Sequence, residues 1–155
     1  MQDLSQHHEM IMSLFDSSVD SSTELSADAL HQFEEDGFVI GRRPVLNDAQ
    51  LTALKTELDE LTIPDHEGRE LWYEYNSNES AEPDKVLFHA LGAWRLRPAF
   101  HDVVWHSNVT VPARQLLGGA VRFWHDQLFC KPAQHGGVVA WHQDFSYWTL
   151  SLIHI

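Results

Sequence analysis

The chain has 155 residues, 43% of them hydrophobic, and a formal net charge of −13. This length and composition predict one globular domain whose core can draw on six Trp and eight Phe. The acidic balance repels phosphate groups, so we expect no nucleic-acid partner and no docking on anionic membranes. The chain has one cysteine, no secretory signal pattern and no apolar run long enough to span a bilayer, so we expect a cytoplasmic protein.

The N-terminal segment is rich in Ser, Asp and Glu, and we expect residues 1–25 to form a mobile arm. After this arm, Leu30 and Phe33 recur at helical spacing, and Gly37 follows where a helix would end. The apolar run Phe38–Ile40 then predicts a short strand.

A second helix is predicted from Asn47, because Gln50 three residues later completes a capping-box pattern. Leucines follow at spacings of three and four, which places them on one face of that helix. They are Leu51, Leu54, Leu58 and Leu61. Pro64 predicts the end of the helix, and the leucine stripe predicts packing against the core.

Residues 62–84 are polar and predict a long connection, interrupted by the apolar group Leu71–Tyr73, which could form a strand. The apolar run Val86–Trp94 is compatible with a helix or a strand. Pro98 predicts the start of a helix that runs to about Trp105. A further short helix is predicted over Pro112–Leu117, followed by two glycines.

Beyond these helices the sequence has a β character. The segments Val121–Lys131 and Val138–Thr149 are aromatic and β-branched, and a segment with Pro and Gly separates them. They predict two strands of an antiparallel hairpin. The fold class is therefore α+β, with helices first and strands after them.

Eleven histidines do not by themselves predict a metal site. Those in polar segments are expected to be exposed. They are His7, His8, His31 and His66.

The segment Trp141–Phe145 carries the most informative pattern. On a strand, side chains two residues apart project from the same face, so His142 and Asp144 would present an imidazole and a carboxylate side by side. Two histidines and one carboxylate on one octahedral face form the site of non-haem Fe(II) oxygenases. The alternative is a surface strand with two polar residues facing water. The neighbouring aromatic residues favour a partly dry pocket instead, where an unpaired Asp would be costly without a cation.

The stretch Phe123–Pro132, the pair Gly136-Gly137 and the stretch Trp141–Trp148 together resemble the phytanoyl-CoA dioxygenase family. The opening segment Phe33–Val39 is similar to the family's entry segment, and Leu46–Leu61 is similar to the helix that follows it. The resemblance covers residues 27–149. It implies a double-stranded β-helix, or jelly-roll, of which this chain would contain only the first strands.

The resemblance also implies roles for individual residues. His142 and Asp144 match the first two ligands of the family's iron site. Gln127 matches a position against 2-oxoglutarate. His125, two residues earlier on the predicted strand, would share a face with Gln127 and could serve instead. Lys85 lies near a lysine that touches the co-substrate in relatives.

Phe145 and Trp148 match pocket-wall positions. Each of these roles has an alternative: a hydrogen bond to a neighbouring strand for Gln127, a solvated charge for Lys85, and core packing for Trp148.

The family's third ligand, a distal histidine, and the arginine that pairs with 2-oxoglutarate are expected beyond these residues. His154 follows Asp144 too closely to be that ligand. We expect residues 26–149 to be the N-terminal part of the family domain, and residues 150–155 to be a non-native tail translated from a sequencing adapter.

These inferences predict an Fe(II)/2-oxoglutarate-dependent dioxygenase that uses O₂ to hydroxylate a small organic substrate, releasing succinate and CO₂. Related iron halogenases lack the carboxylate, so Asp144 favours hydroxylation, and the fragment alone is expected to be inactive. One alternative is a non-enzymatic or degenerate β-sandwich binding module. The other is a cupin-like metal enzyme that uses Zn²⁺ or Mn²⁺ without 2-oxoglutarate. The substrate and the oligomeric state stay open.

Overall fold

The computed structural model describes residues 1–16, 23–76, 88–131, 133 and 140–142. Within these ranges it contains four α-helices, α1 (Ala27–Asp36), α2 (Asp48–Leu61), α3 (Pro98–Val103) and α4 (Ser107–Leu116). Three strands, β1 (Glu74–Asn76), β2 (Phe88–Leu91) and β3 (Leu128–Cys130), form an antiparallel sheet in the order β1-β2-β3. This mixture is compatible with the predicted α+β class. None of the helices described is long and apolar enough to cross a bilayer.

The first predicted helix ends where the sequence indicates. The hydroxyl of Ser26 accepts a hydrogen bond from the Ala29 N–H at its start, and Gly37 closes it in the left-handed conformation with φ 76°. The strand predicted at Phe38–Ile40 is wrong, because these residues join no ladder. Phe38 and Ile40 are instead exposed.

The capping box of α2 is present as predicted. The Asn47 side chain accepts from the Gln50 N–H, the Gln50 side chain accepts from the Asn47 N–H, and both distances are 2.9 Å. The leucine stripe enters the core only at its C-terminal end. Leu61 is fully buried, whereas Leu51 is exposed.

Helix α3 starts at Pro98, as predicted, and its first turn is held by α2. The Glu57 carboxylate accepts hydrogen bonds from the Ala99 N–H at 2.9 Å and the Phe100 N–H at 3.3 Å. Burial raises the pKa of Glu57. Next to this contact, the Arg97 Nε donates to Glu60 on α2 at 3.0 Å, which ties the two helices together a second time.

Helix α4 starts five residues before the predicted position at Pro112. His106 caps it, because its Nδ1 accepts a hydrogen bond from the Asn108 N–H. Pro112 lies inside the helix. Burial lowers the pKa of His106.

The sheet shows that part of the apolar run 86–94 is a strand. It also includes fewer residues of the segment 121–131 than predicted. Residues Phe88–Leu91 form β2, and Ala93–Arg95 form a 3₁₀ turn. Of the strand predicted at 121–131, only Leu128–Cys130 joins the ladder. Its predicted partner, Val138–Thr149, lies outside the described residues except for 140–142, which form no strand.

The two faces of the sheet have different surroundings. One face packs against the helices in a core built from residues of α2, β2 and the neighbouring turns. Its buried members are Leu61, Trp72, Phe88, Ala90, Ala93 and Leu96. Because side chains alternate along a strand, the opposite face carries His89 from β2 and Phe129 from β3, and Phe129 is 49% exposed.

The N-terminal segment was predicted as a mobile arm, and the structure packs residues 1–16 against the α3 region. Phe15 is fully buried, and the Arg95 guanidinium pairs with the Asp3 carboxylate. His66 also differs from expectation. It is buried, and its Nε2 accepts a hydrogen bond from the Trp72 indole N–H at 2.9 Å.

Candidate functional site

His142 is the one predicted iron ligand within the described residues. Its Nδ1 lies 2.7 Å from the backbone oxygen of Ala140. A carbonyl oxygen only accepts, so Nδ1 carries the proton and the lone pair of the neutral ring lies on Nε2. Metal-binding histidines are commonly oriented by this kind of hydrogen bond, so His142 fits the donor that Fe(II) requires.

The surroundings of His142 differ in part from the expected aromatic pocket. Both His142 and Trp141 are exposed, and Trp141 is completely so. The second predicted ligand, Asp144, lies outside the described residues, as do Lys85, Phe145 and Trp148. Among the residues that are described, no three His, Cys, Asp or Glu side chains are grouped to hold a metal ion.

Gln127 lies immediately before β3, and its side chain reaches across to β2. The Gln127 Nε2 is 2.8 Å from the His89 Nε2. This is the neighbouring-strand contact that the sequence left open as an alternative to 2-oxoglutarate binding. The two roles are compatible, because the amide group has a second N–H and an oxygen that are not used in this contact.

His125 does not share a strand face with Gln127 as predicted. The rule that side chains two residues apart share a face holds only within a strand, and β3 begins at Leu128. The His125 Nδ1 instead contacts the backbone oxygen of Asp126 at 3.1 Å, and the side chain is half-buried.

Asp126 lies in the segment 121–127, which forms no helix or strand, and it links this segment to the turn that follows β2. Its carboxylate accepts hydrogen bonds from the Gly92 N–H at 2.8 Å and from the Trp94 N–H at 2.9 Å. Burial raises the pKa of Asp126. The sequence gives no signal for this contact, which joins residues more than 30 positions apart.

His89 is a residue of this site that the sequence did not single out. Its ring stacks on Phe129, with centroids 4.4 Å apart and planes 6° from parallel. The alternation of buried and less buried residues in Phe88–Leu91 could have indicated that His89 faces away from the core. The sequence did not show which strand lies beside His89.

The described part of the chain therefore forms a small antiparallel sheet with helices on one face and the side chains of His89 and Gln127 on the other. The model of the phytanoyl-CoA dioxygenase family matches residues 33–153, and the chain therefore belongs to that family. A comparison with curated proteins finds no match. Members of the family are in general Fe(II)/2-oxoglutarate-dependent dioxygenases, which supports an oxygenase at the level of the family. The match includes part of the segment 150–155, whose non-native origin stays a prediction.

Proposed function

We propose that this chain is part of an Fe(II)/2-oxoglutarate-dependent dioxygenase that hydroxylates an unactivated C–H bond of a small organic substrate. The overall reaction converts the substrate, 2-oxoglutarate and O₂ into the alcohol, succinate and CO₂. The observation that carries the proposal is the protonated Nδ1 of His142, which places the ring lone pair on Nε2 in a chain of this family.

In this proposal His142 and Asp144 supply an imidazole nitrogen and a carboxylate to Fe(II). When bound, Fe(II) and 2-oxoglutarate supply the chemistry that activates O₂. The Ala140 carbonyl keeps the His142 ring in the tautomer whose lone pair lies on Nε2, the nitrogen proposed to bind Fe(II). Loss of that hydrogen bond would allow the other tautomer and weaken metal binding.

Gln127, His125 and Lys85 are proposed to contact 2-oxoglutarate, and Phe145 and Trp148 to form walls of the substrate pocket. The proposed role of Gln127 is supported by the face of the sheet on which its side chain lies. Its side chain meets His89 on the face opposite the helices, the face toward which the second sheet of a jelly-roll would lie. In this proposal β1–β3 are part of that jelly-roll.

The test is a calorimetric titration of 2-oxoglutarate into the full-length gene product without O₂, with Fe(II), with Zn²⁺ and without metal. Saturable binding that requires a divalent metal, followed when air is admitted by succinate formation with Fe(II) but not with Zn²⁺, is the expected result. Absence of binding to the Fe(II)-loaded protein would favour the binding-module alternative. Activity with Zn²⁺ or Mn²⁺ that is independent of 2-oxoglutarate would favour the cupin-like alternative.

A further inference from the structure

A polar side-chain contact joins β2 to the residue preceding β3 on the sheet face opposite the core. It is the 2.8 Å contact between the Nε2 atoms of His89 and Gln127. An amide nitrogen can only donate, so the ring nitrogen accepts and the neutral ring carries its proton on Nδ1. The contact therefore has a defined direction, from Gln127 to His89.

The His89 end of this contact is fixed by the sheet. His89 lies on the central strand, where it is opposite Asn76 of β1 and Phe129 of β3. Its ring is also stacked on the Phe129 ring. Backbone pairing on both sides and ring stacking together leave the acceptor nitrogen little freedom to move.

The backbone of Gln127 is fixed as well, because the residues before and after it are both held by hydrogen bonds. Asp126 is held by the backbone N–H groups of Gly92 and Trp94. Leu128 is paired with Ala90 in the ladder. The remaining freedom at this position is that of the long Gln127 side chain, whose ordering is costly in conformational entropy.

We propose that His89 is a positioning residue that orients the Gln127 amide toward a carboxylate of 2-oxoglutarate. The inference rests on the proposed function, and it adds a residue outside the predicted site. One N–H of the amide is donated to His89, and the second N–H is directed away from the ring. That second donor matches a carboxylate acceptor, and the contact with His89 orders it before the ligand arrives.

Two substitutions separate the hydrogen bond from the stacking. His89→Phe keeps a ring on Phe129 but removes the acceptor. His89→Gln removes the ring but returns an acceptor at a similar distance from the backbone. Loss of one neutral hydrogen bond predicts that His89→Phe raises the Kd for 2-oxoglutarate about three- to tenfold, and that His89→Gln recovers most of the affinity.

The binding experiment uses the Fe(II)-loaded full-length protein without O₂, with 2-oxoglutarate as the probe. His89→Asn, which is too short to reach Gln127, is a second loss variant and must weaken binding like His89→Phe. His31→Phe, on the exposed surface of α1, is the matched control and must leave the Kd unchanged. At saturating 2-oxoglutarate, we expect the kcat of His89→Phe to stay within about twofold of the wild type, because the contact is lost equally in the ground state and in the transition state.

A second readout needs neither metal nor co-substrate. The side-chain amide resonances of Gln127, identified by their loss in Gln127→Glu, should shift toward those of a solvated glutamine in His89→Phe and return in His89→Gln. Equal resonances in the wild type and His89→Phe would overturn the positioning role. So would equal Kd values in those two proteins. A wild-type protein that does not bind 2-oxoglutarate would instead overturn the proposed function.

Discussion

The Nδ1 of His101 lies 2.7 Å from the Oδ1 of Asp102, and both side chains are fully buried. The Asp102 carboxylate also accepts from the backbone N–H groups of Ile11 and Met12, the latter at 2.6 Å. The other ring nitrogen of His101 lies 3.2 Å from the His7 carbonyl oxygen. Because a carboxylate only accepts, the Nδ1 of His101 donates to Asp102, and the same carboxylate connects the ring to the backbone of the N-terminal segment. This buried pair is the main polar link between the N-terminal segment and α3.

We predict that Asp102→Asn lowers the free energy of unfolding by about 1–3 kcal/mol, because it removes a buried carboxylate that accepts hydrogen bonds from His101 and from two backbone N–H groups. Urea unfolding at neutral pH measures the change. Asp59→Asn, on the exposed surface of α2, is the matched control and should change stability by less than about 0.5 kcal/mol. Equal stabilities of the two variants would show that the N-terminal segment is not held by this pair.

The Asp3–Arg95 pair makes a second link whose strength depends on pH. The hydrogen bond from Arg95 lowers the pKa of Asp3 to about 2, below its ordinary value of 3.8. The folded state therefore favours the carboxylate. The stabilisation is fully present above the ordinary pKa and is lost as the pH falls from about 4 toward 2.

We predict that Asp3→Asn costs about 1 kcal/mol at neutral pH, a figure that allows for solvent screening of a partly exposed pair. The difference between the wild type and Asp3→Asn should shrink as the pH falls below 4. Urea unfolding of both proteins at pH 7, 5 and 3 measures it. A difference that is constant across this range would contradict the assignment of the low pKa to Asp3.

Gly92 begins the turn whose backbone N–H groups bind the Asp126 carboxylate, and its backbone conformation requires glycine. Its φ is 112°, and a Cβ there would lie 3.1 Å from Cδ2 of the Tyr73 ring. We predict that Gly92→Ala lowers the free energy of unfolding by about 1–3 kcal/mol through strain and crowding.

Gly119→Ala is the control for this substitution, because a Cβ at Gly119 would meet no atom within 4 Å. Thermal unfolding of the two variants provides the comparison. A Gly92→Ala protein as stable as Gly119→Ala would mean that the turn before α3 tolerates a side chain.

The helices could be predicted from the sequence where their ends are set by local contacts. The capping box of Asn47 and Gln50 and the left-handed Gly37 involve residues at most four apart, so the pattern contains all the information. The start of α4 was predicted wrongly, because the sequence pattern indicated Pro112 as its first residue. The helix is instead capped by His106, a residue type that is unusual at this position.

The sheet and the site depend on contacts that no local pattern contains. The β2–β3 ladder begins at Leu128, and the segment before it is held by the Asp126 carboxylate, which accepts hydrogen bonds from the backbone N–H groups of Gly92 and Trp94. The contact of His89 with Gln127 depends on the β2–β3 register, across 38 positions of sequence. The sequence alone predicts the motif of His142 and Asp144, whereas it contains no local signal for the contact between His89 and Gln127.

The measurement that tests the central claim most directly is the rate at which the full-length, Fe(II)-supplied protein forms succinate from 2-oxoglutarate, compared with that of Asp144→Ala. Substitution of residues that only orient metal ligands costs up to about 100-fold, so loss of a ligand should reduce the rate at least about 100-fold. The exposed variant Asp59→Ala should keep the wild-type rate. Equal rates for Asp144→Ala and Asp59→Ala would contradict the assignment of Asp144 as an iron ligand and, with it, the proposed site.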